Sequence, residues 1–401
     1  MQKLIDRPYY LNKLRSWKDN NDLIKIVTGI RRCGKSTLFK LFQNYLKETG
    51  VCEKQIINLN LEDARNEKFL DYKILHNHIE KLTSKHNKNY VFIDEIQLVK
   101  NYQKAINSLR LRQNIDLYVT GSNAYMFTPI VTTLLSGRYI EIKMYPLSFK
   151  EYVNYFNTKD VSISDLYNTY ITNGGFPQTI LLNNDRKLIQ DYLIGLYNTI
   201  IQKDIILRAQ FKDISRLENV VRFIFDNIGN ETSIRNISNT LTSDRAQIHP
   251  QTIESYIEGL VDSFLVYKAD RFDIKGKLYL KSNSKYYVSD IGLRKALLGN
   301  RNLDTGHILE NIVYLELIRR GHRVNVGKVG NFEVDFIAQS PEEVIYYQVS
   351  QTLADDKTLK RELLPLQKLQ DNYKKIIITT DTITQSFDGI ETKNIIHFLL
   401  E

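Results

Sequence analysis

At 401 residues the chain is longer than one ordinary domain and predicts two or three. Hydrophobic residues make up 42% and charged residues 25%, which excludes a fibrous or wholly disordered chain, and two cysteines exclude a disulfide scaffold or a multi-cysteine zinc site. The 55 Lys and Arg against 46 Asp and Glu leave a net charge of +9, a lean toward anionic partners. The first third alternates strand-like and helix-like segments, the pattern of a parallel α/β sheet. Leu23 to Val27 reads as a short apolar strand, followed by a glycine-bearing loop. A helix then places Leu38, Leu41, Phe42 and Tyr45 on one face and ends near Gly50. Gln55 to Leu61, Tyr90 to Ile93, Asp116 to Thr120 and Arg138 to Ile142 read as four further strands.

Beyond Pro146 the strands give way to helical patterns at Phe149 to Phe156 and Leu188 to Arg208, with a turn at Gly174-Gly175-Phe176-Pro177. Three short helical patterns and hairpin-like strands follow, at Phe264 to Ala269, Lys277 to Lys281 and Lys285 to Val288. After Asp304 the order is a helix at Leu309 to Arg319, strands at Val334 to Ala338 and Val344 to Val349, another helix, and a strand at Ile376 to Thr380. The expected division is 1–145, 146–215, 216–300 and 301–401. No apolar run approaches the roughly 18 residues of a membrane helix, and Met1 to Pro8 has no apolar core of a leader. No membrane partner and a cytoplasmic location are therefore expected.

The sharpest motif is Gly29-Ile30-Arg31-Arg32-Cys33-Gly34-Lys35-Ser36, which fits G-x-x-x-x-G-K-[ST] between a strand and a helix. Glycines let the backbone fold into a nest whose N–H groups meet phosphate oxygens. Lys35 places a compact charge between the terminal phosphates, and the Ser36 hydroxyl suits Mg²⁺. About 60 residues on, Val91-Phe92-Ile93-Asp94-Glu95 is an apolar strand ending in two carboxylates. Asp94 is the expected second metal ligand and Glu95 the base that polarises a water. ATP and Mg²⁺ are the expected cofactors. Thr120-Gly121-Ser122-Asn123 ends the fourth strand, so Ser122 or Asn123 can reach the γ-phosphate or cap a helix. Arg138 and Arg208 are candidate arginine fingers, in cis or from a neighbouring subunit of a homo-oligomer. Cys33, inside the loop, is either a small filler or an oxidisable brake on nucleotide binding.

The ordered set of Arg7-Pro8, Gly29 to Thr37, Asn60-Leu61-Glu62-Asp63, Phe92 to Gln97, Thr120-Gly121-Ser122, Leu135-Ser136-Gly137-Arg138 and Gly174-Gly175-Phe176-Pro177 resembles the prokaryotic AAA-type ATPases with a C-terminal domain of unknown function. The resemblance covers nearly the whole chain. It implies a P-loop ATPase core, a helical lid, a winged-helix segment and a restriction-endonuclease-like end. It places the Walker A role on Gly34, Lys35, Ser36 and Thr37. The Walker B role falls on Asp94 and Glu95, and the sensor position on Ser122 or Asn123. The nucleotide-binding set is thus Gly29, Arg32, Cys33, Gly34, Lys35, Ser36 and Thr37.

In the C-terminal half, helices at Ile234 to Leu241 and from Pro250 to Leu260 followed by a hairpin fit a winged helix. The second helix carries Glu254, Glu258 and Asp262 rather than cations, whereas the hairpin carries Lys268, Arg271, Lys275, Lys277, Lys281 and Lys285. A protein-packing role is favoured over contacts to DNA phosphates. Glu310, Glu333-Val334-Asp335 and Gln348-Val349-Ser350 resemble the PD-(D/E)xK nuclease layout. A neutral Gln348 and a Ser350 stand where a carboxylate and a lysine are needed. The expected function is an Mg²⁺-dependent ATPase whose hydrolysis switches C-terminal domains acting on DNA or a protein. The alternatives are a nucleotide-bound binding module with little turnover and, less favoured, an ATP-linked nuclease.

Overall fold

The computed structural model describes residues 4–124, 135, 137–156, 161–242, 248–299 and 305–401. The chain divides into two units: Met1–Pro146 with Asp262–Phe264, and Leu147–Val261 with Leu265–Glu401. Among the described residues no helix is long and apolar enough to cross a membrane.

The first unit is built on β1 (Ile24–Thr28), β2 (Ile56–Asn60), β3 (Asn89–Asp94), β4 (Ile115–Gly121) and β5 (Tyr139–Lys143). All neighbours run parallel in the order β2-β3-β4-β1-β5. The three central strands are buried at every position, as strands covered on both faces must be. Side chains alternate between the faces. Val91 and Ile93 join Leu75, Ile79, Ile106 and Leu109 of helices α3 (Tyr72–Leu82) and α4 (Tyr102–Arg110) in one core. Phe92 points the other way. It stacks on Tyr118 at 4.8 Å and meets the edges of Phe39 and Phe42 on α2 (Lys35–Glu48). Burying each such ring contributes about 1.5–3 kcal/mol.

The sheet order places β4 between the strand before the glycine loop and the strand ending in carboxylates. Val27 pairs with Thr120 and Ile93 with Val119. The carboxyl ends of β1, β4 and β3 therefore finish on one edge, where the loop begins.

In the second unit β6 (Val266–Asp273), β7 (Leu278–Val288), β8 (Arg323–Val329), β9 (Phe332–Gln339), β10 (Val344–Ser350), β11 (Lys374–Thr379), β12 (Ser386–Phe387) and β13 (Ile390–Asn394) form one mixed sheet. Its order is β12-β13-β11-β10-β9-β8-β6-β7. The two strands expected over Lys277 to Val288 are a single strand, β7, and the hairpin pairs with β8. The sheet thus runs across the boundary expected near residue 300, because pairing satisfies backbone groups that an isolated hairpin would leave on an open edge. The helical pattern expected over Leu188 to Arg208 is α-helical over Arg186–Thr199, a seven-residue π-helix over Ile200–Ile206 and α-helical again over Leu207–Ala209.

The glycine pair of Gly174-Gly175-Phe176-Pro177 has a local cause. Gly174, at φ +76°, ends the helix Ile163–Asn173, and an added Cβ would lie 2.1 Å from the Asp290 carboxylate. The Gly175 N–H donates to Asp290 Oδ2 at 2.6 Å, and Pro177 opens the next helix. Burial pushes the Asp290 carboxyl up to about 6, although the N–H groups of Gly175, Leu293 and Gly292 pull the other way.

Candidate nucleotide-binding site

The loop after β1 is shaped by three positive-φ residues, Gly29 (+144°), Arg32 (+66°) and Gly34 (+111°). Gly29 is also a close approach: an added Cβ would fall 2.0 Å from the Met144 carbonyl oxygen. Gly34 caps α2 in the left-handed region, so the first helical residue is Lys35 and the next is Ser36. Turning the backbone this way leaves the N–H groups of the loop and the first helical turn to meet an anion. Lys35 is only 4% exposed. Its Nζ donates to the carbonyls of Gly29 at 3.0 Å and Ile30 at 3.3 Å, and stands 3.9 Å from Glu95 Oε1.

Asp94 and Glu95 are both buried at the end of β3. The Thr120 hydroxyl serves both. It donates to Asp94 Oδ1 and accepts from the Glu95 N–H at 2.9 Å. Glu95 sits in the left-handed region at φ +58°, ψ +47°, a strain on the order of 1–2 kcal/mol for a residue with a side chain. Gln97 Nε2 donates to Glu95 Oε2 and, at 3.3 Å, to Ser122 Oγ. Ser122 and Asn123 are buried beside it at the end of β4. One edge therefore gathers the glycine loop, an ammonium, two carboxylates and the polar end of β4.

The residues fit a triphosphate with Mg²⁺. The αL glycine nest suits phosphate oxygens, the lysine is inside the loop, and Ser36 and Asp94 follow strands of one sheet at its carboxyl edge. They are the side chains that would hold the ion.

Two more of the singled-out residues, Arg138 and Cys33, take definite places. Arg138 immediately precedes β5, and its carbonyl accepts from the Ile24 N–H at 3.1 Å, so it stands at the amino edge of the sheet. β1 is five residues long, about 16 Å at strand rise, so Arg138 is remote from the loop of its own copy. Ser136, beside it in the sequence, lies outside the described residues. The Cys33 thiol is fully buried, and burial pushes its pKa up, with Lys35 and Arg7 acting in the opposite direction. A buried, protonated thiol is a poor target for oxidation, so Cys33 is packing under the loop. Arg208 belongs to the second unit, on the short helix Leu207–Ala209.

Three contributors carry no role in the sequence pattern. Thr120 orients both carboxylates, and Gln97 clamps one of them. Arg7 is buried, with Nη1 donating to the Cys33 carbonyl at 2.9 Å and Nη2 to the Tyr145 carbonyl at 2.8 Å. It ties the loop to the segment after β5. The visible signal was an arginine directly before the helix-opening Pro8.

A second charged centre lies in the second unit. Lys285 of β7 is buried, with Nζ 2.9 Å from Glu310 Oε1, 2.7 Å from Glu333 Oε1 and 4.0 Å from Asp335 Oδ1. Burial opposes its charge, yet Glu310, Asp335 and Glu333 hold it protonated above the ordinary lysine range. Burial and then Glu310 push the Asp335 carboxyl well up. Gln348 is spent on the Asp335 N–H at 3.3 Å and on Glu362 at 2.9 Å, and Ser350 on the Thr352 carbonyl at 3.1 Å. Lys285 is thus lost to the expected basic hairpin. Lys268 pairs with Asp270 at 2.9 Å and Arg271 with Glu231 at 2.6 Å, while Lys275 and Lys277 stay exposed. The side chain of Lys281 lies outside what is described.

A family profile described as an AAA domain matches residues 21–153, and one described as a domain of unknown function matches residues 164–304. An uncharacterized protein of Haemophilus influenzae is 41% identical over 402 residues, covering 99% of each chain. An uncharacterized protein of Methanocaldococcus jannaschii is 29% identical over 392 residues, covering 92% of this chain and 83% of that one. A Walker-type ATPase of Pyrococcus abyssi aligns at 17% identity and TM-score 0.49 over 73% of this chain and 95% of its own. The chain belongs to the family of the Haemophilus influenzae protein, and residues 21–153, which match the AAA-domain profile, include its five-stranded parallel sheet.

Proposed function

We propose that this chain is an Mg²⁺-dependent ATP hydrolase whose turnover switches its second unit against a partner. The observation that carries the reading is Lys35, inside a left-handed glycine loop, 3.9 Å from Glu95 at the shared carboxyl edge of β1 and β3. In this reading the loop N–H groups and Lys35 bind the phosphates of ATP. Arg32, Cys33 and Thr37 contribute through the backbone and first turn around them. Ser36 and Asp94 hold Mg²⁺, which supplies neutralisation of phosphate charge when bound. Thr120 holds Asp94 and Glu95 in fixed positions relative to each other. Glu95 takes the proton of the attacking water, which requires Gln97 to release its Oε2. Ser122 and Asn123 orient the γ-phosphate and the water. Arg138, at the amino edge, acts on the nucleotide of a neighbouring copy, so turnover belongs to a homo-oligomer.

The partner reading favours protein over DNA. The helix Pro250–Asp262 exposes Glu254 and Glu258, and three of the hairpin cations are spent within the chain. A winged helix over 216–300 and a nuclease-like, hydrolytically inert end over 301–401 complete the proposal. Lys285 saturates the carboxylates that a metal would need.

Phosphate release from ATP tests it. Wild type is expected to turn over with Mg²⁺ and to stop with EDTA or in Lys35→Ala. Near-zero release with Mg²⁺, with and without duplex DNA, would favour the nucleotide-bound binding module. Mg²⁺-dependent nicking of plasmid would revive the nuclease.

A further inference from the structure

The helix Pro250–Asp262 ends in a turn that suits glycine, and the chain supplies a phenylalanine. The Leu265 N–H donates back to the Leu260 carbonyl at 3.1 Å, the closure that ends many helices. That closure puts the residue before Leu265 in the left-handed region, where glycine is the usual occupant. Here it is Phe264, at φ +57°. A bulky residue holds this conformation only where its surroundings enforce it. Phe264 is 2% exposed, so the ring is enclosed.

The enclosing residues belong to the first unit. Asp262–Phe264 groups with Met1–Pro146, whereas the chain up to Val261 and from Leu265 onward belongs to the second unit. The Lys143 ammonium lies 5.1 Å from the centre of the Phe264 ring, a cation–π contact. Lys143 ends β5 and pairs with Thr28, the last residue of β1. The Met144 N–H donates to the Thr28 carbonyl at 2.7 Å, and the Met144 carbonyl oxygen is the atom that closes on Gly29. The Tyr145 carbonyl shares the Arg7 guanidinium with the Cys33 carbonyl. Lys143-Met144-Tyr145 therefore joins the glycine loop to Phe264.

We propose, on the ATPase reading above, that Phe264 anchors a strap that carries the nucleotide state of the loop to the second unit. Triphosphate in the loop shifts the close approach of Gly29 and Met144, and Lys143 moves with its neighbour. The Phe264 turn has two arrangements. With the ring held under Lys143, the helix end stays in its strained left-handed turn. With the ring released, the turn relaxes to an ordinary backbone conformation. The helix Pro250–Asp262 and β6 follow, because the strap is continuous with both. A glycine at position 264 would cap the helix equally well and transmit nothing.

Hydrogen exchange of the full chain carrying Glu95→Gln, with and without Mg²⁺ and ATP, reads both ends of the strap at once. ATP is expected to protect residues 29–37 and to change exchange about twofold or more in the helix Pro250–Asp262 and β6. Adding Phe264→Gly, which keeps the turn and removes the ring, is expected to leave the first effect and abolish the second. Lys143→Met, which leaves the ring in place, is expected to cut the second effect by about half or more. An ATP effect on the helix and β6 that survives Phe264→Gly would overturn the proposal. Should that variant fail to keep a native melt, Lys143→Met decides alone, and an undiminished effect overturns the proposal. Protection of the loop with no change in the helix or β6, before either substitution, would overturn it as well. No protection at 29–37 would take down the nucleotide reading itself, and the strap with it.

Discussion

Lys35 and Lys285 are both buried beside carboxylates, and they put the same chemistry to opposite uses. Lys35 donates hydrogen bonds to two loop carbonyls and stays 3.9 Å from Glu95. Asp94 and Glu95 are held by neutral donors, Thr120 and Gln97. Lys285 bonds directly to Glu310 and Glu333 and has Asp335 in range. A carboxylate held by neutral donors remains open to a metal or a proton. One locked to a buried ammonium gives up that pair only at high cost. The local fold sets the difference. Lys35 opens a helix after a glycine turn, where new charge can enter. Lys285 sits within a paired strand, where the surrounding carboxylates close on it.

A centre built to receive charge should need a cation from outside, and the closed one should not. Arg138→Ala is therefore expected to lower ATP turnover about 10³-fold. Mixing it with Glu95→Gln copies should restore activity, since those copies still supply Arg138. Absence of restoration on mixing would return the finger to another residue. Next in size, Lys285→Met should cost about 3–5 kcal/mol in urea unfolding by stranding buried carboxylates. Its turnover per folded molecule should stay unchanged. Lost turnover without lost stability would blur the contrast between the two centres.

Gln97→Ala should act mildly and in the other direction. Freeing Glu95 from one net hydrogen bond is expected to raise turnover between about two- and tenfold. A drop would mean that the amide positions the carboxylate productively.

The smallest effect concerns pH. Asp290 is raised to about 6 in the folded chain against an ordinary 3.8, so the folded state holds its proton more tightly. Its contribution to stability is full below pH 3.8 and is lost as pH rises through 6. Asp290→Asn should flatten that part of the unfolding profile between pH 4 and pH 6. An unchanged slope would show that the carboxyl is not shifted.

Local spacing made much of the first unit legible. Gly29 to Ser36 and Asp94-Glu95 are contiguous motifs next to apolar runs, and the strands around them fell within a residue or two of the expected positions. What stayed hidden depends on pairing across long sequence separations. Thr120 reaches Asp94 only because β4 inserts between β1 and β3. Arg138 could not be assigned an edge until the register of β5 on β1 was known. Lys285 looks like one more cation of a basic hairpin until β6 docks on β8 and brings Glu310, Glu333 and Asp335 around it. Composition carries none of these distances.

The central claim is that Glu95 accepts the proton of the attacking water at a nucleotide held by Lys35. The most direct measurement compares ATP affinity and phosphate release in Glu95→Gln and wild type. The account predicts ATP binding within a few-fold of wild type and release slowed about 10²–10⁴-fold. Release at the wild-type rate from Glu95→Gln would contradict it.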